Sequence, residues 1–152
     1  MKYDCIEETR DHQRSVRSYL YEFIEILKHR AQHHDNSKLS LEEKPGFDEF
    51  TPKLKESTYG TEEYKNNLEG LKNALTHHYA NNPHHPEYYE NGINDMTLID
   101  IIEMFFDWRA ATERHDDGDI WKSFEINAER FGISEQLIQI FKNTASRTSL
   151  CA

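Results

Sequence analysis

Cysteine is nearly absent from this chain: Cys5 and Cys151 are the only two in 152 residues, one near each end. Two such cysteines build neither a disulfide framework nor a zinc knuckle, and neither has the basic or histidine-rich surroundings that make a thiolate nucleophile. Both read as free thiols. Long apolar runs are missing too, since no stretch approaches the roughly 20 residues that a membrane helix needs. The opening MKYDCIEETRDH carries acids and no apolar core of a secretory signal, so a cytoplasmic location is expected, in a bacterial cell or a phage-infected host. Basic charge is in short supply. Eighteen Lys plus Arg against 28 Asp plus Glu give a formal net charge of -10, a field that repels long nucleic acids and anionic membranes. Six glycines and four prolines leave no linker that would split the chain, which predicts one domain over 1–143 and a polar tail over 144–152.

What is present is helical periodicity. Hydrophobic residues make up 36% and aromatics 12%, enough for a small core. From about Cys5 to Arg30, Ile6, Val16, Tyr19, Leu20, Phe23, Ile24 and Leu27 recur at three- and four-residue steps, which predicts a long amphipathic helix. Ser40-Leu41-Glu42-Glu43 has capping-box spacing and predicts a short helix that ends at Pro45-Gly46, followed by a loop over 47–60 with about one helical turn. Thr61 caps a third helix, with Leu68, Leu71 and Leu75 as its inner stripe. Pro83, Pro86 and Gly92 make 81–94 irregular. The segment 97–111 is apolar nearly all round and reads as a central buried helix. A turn at 114–119, a helix through Trp121, Phe124, Ile126 and Phe131, and a last helix from about Ser134 to Asn143 complete an all-α bundle of five to six helices. No segment alternates as a strand would.

Histidine is the unusual component. The nine fall in knots: His12, His29, His33-His34, His77-His78, His84-His85 and His115. Adjacent histidine pairs beside carboxylates suit a borderline divalent metal such as manganese, iron, nickel or zinc. His78 continues the Leu71–Leu75 stripe and points inward, whereas His77 is rotated about 100° away. His84 and His85 lie on a loop where periodicity says nothing, so either or both can bind, or the pairs can simply tie the loop to the helices. His29 suits the end of the first helix, where it complements the dipole. His115 reads as a helix-end residue, and Asp116-Asp117-Gly118-Asp119 lacks the spacing of a calcium loop. Asp100, Glu103 and Asp107 share one face of an apolar helix, where carboxylates need a cation or a hydrogen-bonded partner.

The run His33-His34-Asp35-Asn36-Ser37-Lys38 resembles the HD-domain superfamily of metal-dependent hydrolases, an all-α family named for an adjacent His-Asp pair that ligates metal. The resemblance implies His34 and Asp35 as ligands, His12 as the upstream histidine, and Asp107 as the final aspartate. It also places Lys38 where many members have a lysine. His77-His78 and His84-His85 fall where two-metal branches carry extra histidines, and His85-Pro86-Glu87 is similar to a stretch of cyclic-dinucleotide phosphodiesterases, without the glycine-rich motif that follows it there. The chain is also similar to a small family of phage and bacterial proteins sharing HDxSK, an HHY-to-HHPE segment and a DIIEM-to-DW helix, which supplies no activity. His12 lies 22 residues before His34. An unbroken helix would hold them roughly 33 Å apart, so they share a metal only if the chain breaks and folds back.

Together these readings predict a metal-dependent phosphohydrolase with one or two divalent ions held by His12, His34, Asp35, His78, His84, His85 and Asp107. Its substrate would be a small phosphorylated metabolite, with a nucleotide as the expected case. A metal-activated water would attack phosphorus. Lys38 would supply positive charge to a phosphate oxygen, helped by Arg17 or Arg114 if the fold brings them near, and Glu87 or Glu103 would move the proton. Tyr88-Tyr89 and Trp108 can stack on a base or serve as core. Two alternatives stay open: an HD-type di-iron oxygenase, and a non-catalytic protein stapled by metal. A homo-oligomer fits equally well with the sequence.

Overall fold

The computed structural model describes residues 4–57, 61–113 and 118–147. Among these there are six α-helices, three short 3-10 turns and no strand. No described helix is long and apolar enough to cross a membrane. The chain divides into two units, one ending at His34 and the other beginning at Asp35.

The first unit is α1, Ile6–His33, unbroken throughout. Glu7 and Glu8 in its first turn and Arg30 and His33 in its last complement the helix dipole. His29 stacks on His33 with ring centroids 4.2 Å apart. Because the helix does not break, His12 and His34 stay about a 22-residue rise apart, so they cannot share an ion within one chain. That removes His12 as a co-ligand of His34.

The second unit begins with a 3-10 turn at Asn36–Leu39, then α2, Lys44–Glu56. The expected loop over 47–60 is therefore mostly helix. Pro45 lies in the first turn of α2 instead of ending a helix, because a proline there lacks only an N–H that would have no partner within the helix. Pro52 does sit inside α2, at the cost of a backbone bond. Packing compensates. A Cβ on Gly46 would come 2.8 Å from Ala74 Cβ, and one on Gly70 would come within 2.3 Å of the Phe50 ring. These two glycines let α2 lie close against α3, Glu62–Asn81.

In α3 the Thr61 hydroxyl accepts from the Tyr64 N–H, and Glu62 and Glu63 occupy the first turn. Its buried stripe is Leu71, Ala74 and His78, rotated from the expected one: Leu68 is exposed. Two further 3-10 turns, Pro86–Tyr88 and Gly92–Asp95, carry the irregular segment to α4, Leu98–Thr112. The α4 helix is not buried all round. Leu98 and Phe106 face solvent, while Asp100, Met104, Phe105 and Trp108 point inward. Apolar composition could not show which side would be covered.

Asp100 is explained by capping. Its Oδ2 accepts from the Thr97 N–H at 2.9 Å, from the Thr97 hydroxyl at 2.5 Å and from the Tyr89 hydroxyl at 2.8 Å. The Thr97 hydroxyl in turn accepts from the Asp100 N–H, closing a capping box. Thr97→Ala is expected to cost about 1 kcal/mol of stability, read as a lower urea midpoint by circular dichroism; an unchanged midpoint would dismiss the cap.

The core lies among α4, α5 (Ile120–Phe131) and α6 (Glu135–Arg147). Met104 and Phe124 are fully buried, with Phe105, Trp108 and Phe141 around them. Asp119 caps α5 by accepting from the Trp121 and Lys122 N–H groups, and Gly132 ends it at φ +62°, a backbone state that glycine adopts without strain. Ile126 and Trp121 are exposed, whereas Phe124 of the same expected stripe is fully buried. Helix α6 continues four residues past Asn143, to Arg147, and Ala145 is fully buried, so 144–147 belongs to the packed structure and not to the tail. Arg114, His115, Asp116, Asp117 and Cys151 lie outside the described residues.

Candidate metal centre

The loop after α3 exists because Pro83 and Pro86 cannot continue a helix, and it folds His84 and His85 back towards His78. Asp35, at the start of the second unit, turns towards the same place. Its φ of 59° is left-handed, a conformation that Asp tolerates better than most residues and that marks functional sites. One atom each from Asp35, His78, His84 and His85 lies within 4.8 Å of the others, a group that can hold a metal ion. His78 Nε2 is 3.0 Å from His85 Nε2 and 3.2 Å from Asp35 Oδ1, and His84 Nε2 is 3.4 Å from that same oxygen. Bonds of 2.0–2.1 Å to one cation imply ligand-to-ligand edges of about 3.0 Å in an octahedron and about 3.4 Å in a tetrahedron. The residues fit a divalent ion by this measure.

The histidines are oriented from behind. Glu43 is fully buried. Its Oε1 accepts from His77 Nδ1 at 2.8 Å, and its Oε2 accepts from His78 Nδ1 at 2.9 Å and from the Ser37 hydroxyl at 3.0 Å. Burial pushes the Glu43 pKa up, but the hydrogen bonds from His77, Ser37 and His78 outweigh it and hold the carboxyl below its ordinary range. An ionised carboxylate only accepts, so His78 carries its proton on Nδ1 and turns the Nε2 lone pair towards Asp35 and His85. Asn82 supports this arrangement, donating to Ser37 Oγ and to the His78 carbonyl, both at 2.7 Å. His84 has the same plan: its Nδ1 lies 3.3 Å from Glu103 Oε1.

Asp35 is ionised. Burial raises its pKa, and the polar contacts with His78, His84 and Lys38 together with the Lys38 charge carry it far below the usual carboxylate range. Lys38 Nζ donates to Asp35 Oδ2 at 2.5 Å and sits 5.2 Å from the centre of the Phe47 ring. Burial and the neighbouring His84 and His78 lower the His85 pKa to about 3, against the opposing pull of Asp107 and Asp35. His85 is therefore neutral near pH 7, the state that ligates. Asp107 places a carboxylate oxygen within 4.8 Å of one on Asp35.

The residues expected from sequence thus divide. Asp35, His78, His84, His85 and Asp107 come together in the second unit, with Lys38 on Asp35. Glu103 is turned to His84, and Glu87 accepts from Arg130 Nη2 at 2.6 Å. His12 and Arg17 stand exposed on α1, and His34 closes that unit as its last residue. Glu43, Ser37 and Asn82 were not anticipated. The only sequence signal for Glu43 was its place in Ser40-Leu41-Glu42-Glu43, which reads as a cap. The Glu43 N–H does bond Ser40 Oγ, but its side chain turns the other way, to the histidines.

Fold and site together define an all-helical protein with a buried His/Asp cluster suited to a divalent cation. Residues 1–147 match the family described as a family of unknown function (DUF5662), and the chain belongs to that family. No curated protein and no solved structure matches it.

Proposed function

We propose that this protein is a metal-dependent phosphohydrolase of HD type acting on a small phosphorylated metabolite. The observation that carries the reading is the convergence of Asp35 Oδ1 with the Nε2 atoms of His78, His84 and His85, at spacings that one cation would bridge. The donor set, three imidazoles and a carboxylate, suits manganese, iron, nickel or zinc. Asp107 is the carboxylate that would extend the set towards a second ion, and the HD resemblance would add His34, which is peptide-bonded to Asp35.

A divalent cation held there would lower the pKa of a bound water towards neutrality and draw charge from a phosphoryl oxygen. Asp35, kept ionised by Lys38 and two histidines, anchors the site. The Lys38 ammonium has three N–H donors, one of them on Asp35, and adds positive charge for a phosphate oxygen. In the hydrolysis a water oxygen joins phosphorus as the ester P–O bond breaks, and the proton that the water loses ends on the departing alcohol. Glu87 stands on the wall of a cleft that also holds His85 and Asp107, and takes the part in that proton transfer. Glu103 instead positions His84.

Elemental analysis of protein purified without chelator, followed by phosphate release from a panel of phosphomonoesters, tests the reading. One or two transition-metal ions per chain and metal-dependent release are expected. Bound iron with oxygen consumption and no phosphate would replace it by the di-iron oxygenase, and metal that only raises stability would leave a stapled, non-catalytic protein. Asp35→Gly relaxes the left-handed backbone while deleting a ligand, so it should stay folded and lose its metal. Tight stoichiometric metal in Asp35→Gly and in Asp107→Ala would remove these residues from the site.

A further inference from the structure

The cleft beside His85 and Asp107, between the Pro86–Tyr88 turn and helices α4 and α5, has a volume of about 250 Å³. Sites for drug-sized ligands run from about 300 to 1,000 Å³. This one is small. We infer that it seats the alcohol portion of the substrate, and that this portion is a compact polyhydroxylated group of sugar size and not a nucleoside. The inference rests on the phosphohydrolase reading and narrows its substrate.

Size is the first reason. The second is that the aromatic side chains of the cleft are already packed on other rings or on a guanidinium. Phe131 is stacked by Trp108 at 6.3 Å and carries the Arg130 guanidinium over its ring at 4.6 Å. Trp108 is itself buried in the core. The Tyr79 ring lies 4.9 Å from His85, within the histidine cluster. A nucleobase gains most of its affinity in such a site by stacking on an open aromatic face. Each of these rings already packs on a neighbour.

The polar groups are the third reason, because they come as donor–acceptor pairs. Arg130 donates to Glu87 with both side chains still partly open to water, and Asn127 Nδ2 donates to Ser123 Oγ at 3.2 Å one turn away on α5. Each pair presents donors and acceptors side by side, the pattern that neighbouring hydroxyl groups of a sugar require. Once the His/Asp cluster holds a cation, the phosphoryl group belongs at that end of the cleft and the hydroxyls face Asn127 and Arg130.

The test uses the full chain loaded with manganese, with glucose 6-phosphate, adenosine monophosphate and p-nitrophenyl phosphate as probes. The kcat/KM for glucose 6-phosphate should exceed that for adenosine monophosphate at least tenfold. Asn127→Leu should raise KM for the sugar phosphate about tenfold, with the bound manganese unchanged and p-nitrophenyl phosphate turnover much less affected. A preference for the nucleotide, or an unchanged KM in Asn127→Leu, would overturn the inference and leave the hydrolase standing. If none of the three esters is cleaved, the hydrolase reading fails. Calorimetric titration with glucose 6-phosphate then decides the cleft alone: binding weakened tenfold in Asn127→Leu supports it, and equal binding or none overturns it.

Discussion

Glu43→Gln is expected to lower metal affinity by about 10- to 100-fold although Glu43 is not among the proposed ligands. The carboxylate accepts from two histidines and a serine inside the protein, so each of its oxygens has a fixed direction to satisfy. An amide supplies one acceptor and one donor group in their place. It then meets either His77 or His78 with an N–H where a lone pair is needed, and the ring that faces it must change tautomer or turn. For His78 a changed tautomer puts the proton on Nε2, the atom that points at Asp35 and His85. Competition with a metallochromic indicator reads the affinity, and circular dichroism checks that the helices remain. Wild-type affinity in a folded Glu43→Gln protein would show that the His78 tautomer is set elsewhere. Unfolding would not hide the answer, because Ser37→Ala removes a milder support of the same carboxylate and should lower affinity in the same direction by a smaller factor.

Phe124→Ala should cost about 3–5 kcal/mol of stability. Phe124 is fully buried and its ring lies within 6.1 Å of the rings of Phe105, Trp121 and Phe141, centroid to centroid. Three aromatic neighbours cannot all relax into the space left behind, so the lost transfer energy is joined by a cavity. At roughly 2–4 °C per kcal/mol for a chain of this size, the melting temperature should fall by about 10 °C. Metal stoichiometry below that temperature should not change, since Phe124 lies in the α4–α6 core and none of the four clustered ligands does. A fall of under 1 kcal/mol would mean that the core repacks around the gap. The two variants therefore separate site from scaffold: one keeps the fold and loses affinity, the other keeps the site and loses stability.

Much of the helical layout was legible along the chain because its signals are local. Thr61 with Glu62 and Glu63 starts a helix through contacts three residues away or fewer, and that cap appears as the pattern implies. The α2 helix was not legible. Pro45, Gly46 and Pro52 argue locally for a loop, and only the close fit of Gly46 and Gly70 against Ala74 and Phe50 makes a helix there favourable. The exposed Leu68, Phe106 and Ile126 were misplaced for a related reason: periodicity gives the width of an apolar face, and neighbouring helices decide which edge of it is covered.

The same division holds at the site. Residue type and spacing marked the histidine pairs and the adjacent Asp35 as metal-binding candidates, and the HD resemblance singled out Asp107 among the carboxylates of α4, because imidazole beside carboxylate is uncommon without a cation or a hydrogen-bonding task to satisfy. They also singled out His78 over His77 as the inward ring, since one residue of helix turns a side chain by about 100°. Only the tertiary structure could show that both loop histidines converge, that Glu103 serves His84 while Asp100 serves a cap, and that Glu43 orients His78 from 35 positions away. A buried carboxylate and the imidazole it fixes are partners through space, and no period in the chain records a partnership that loops and helix crossings create.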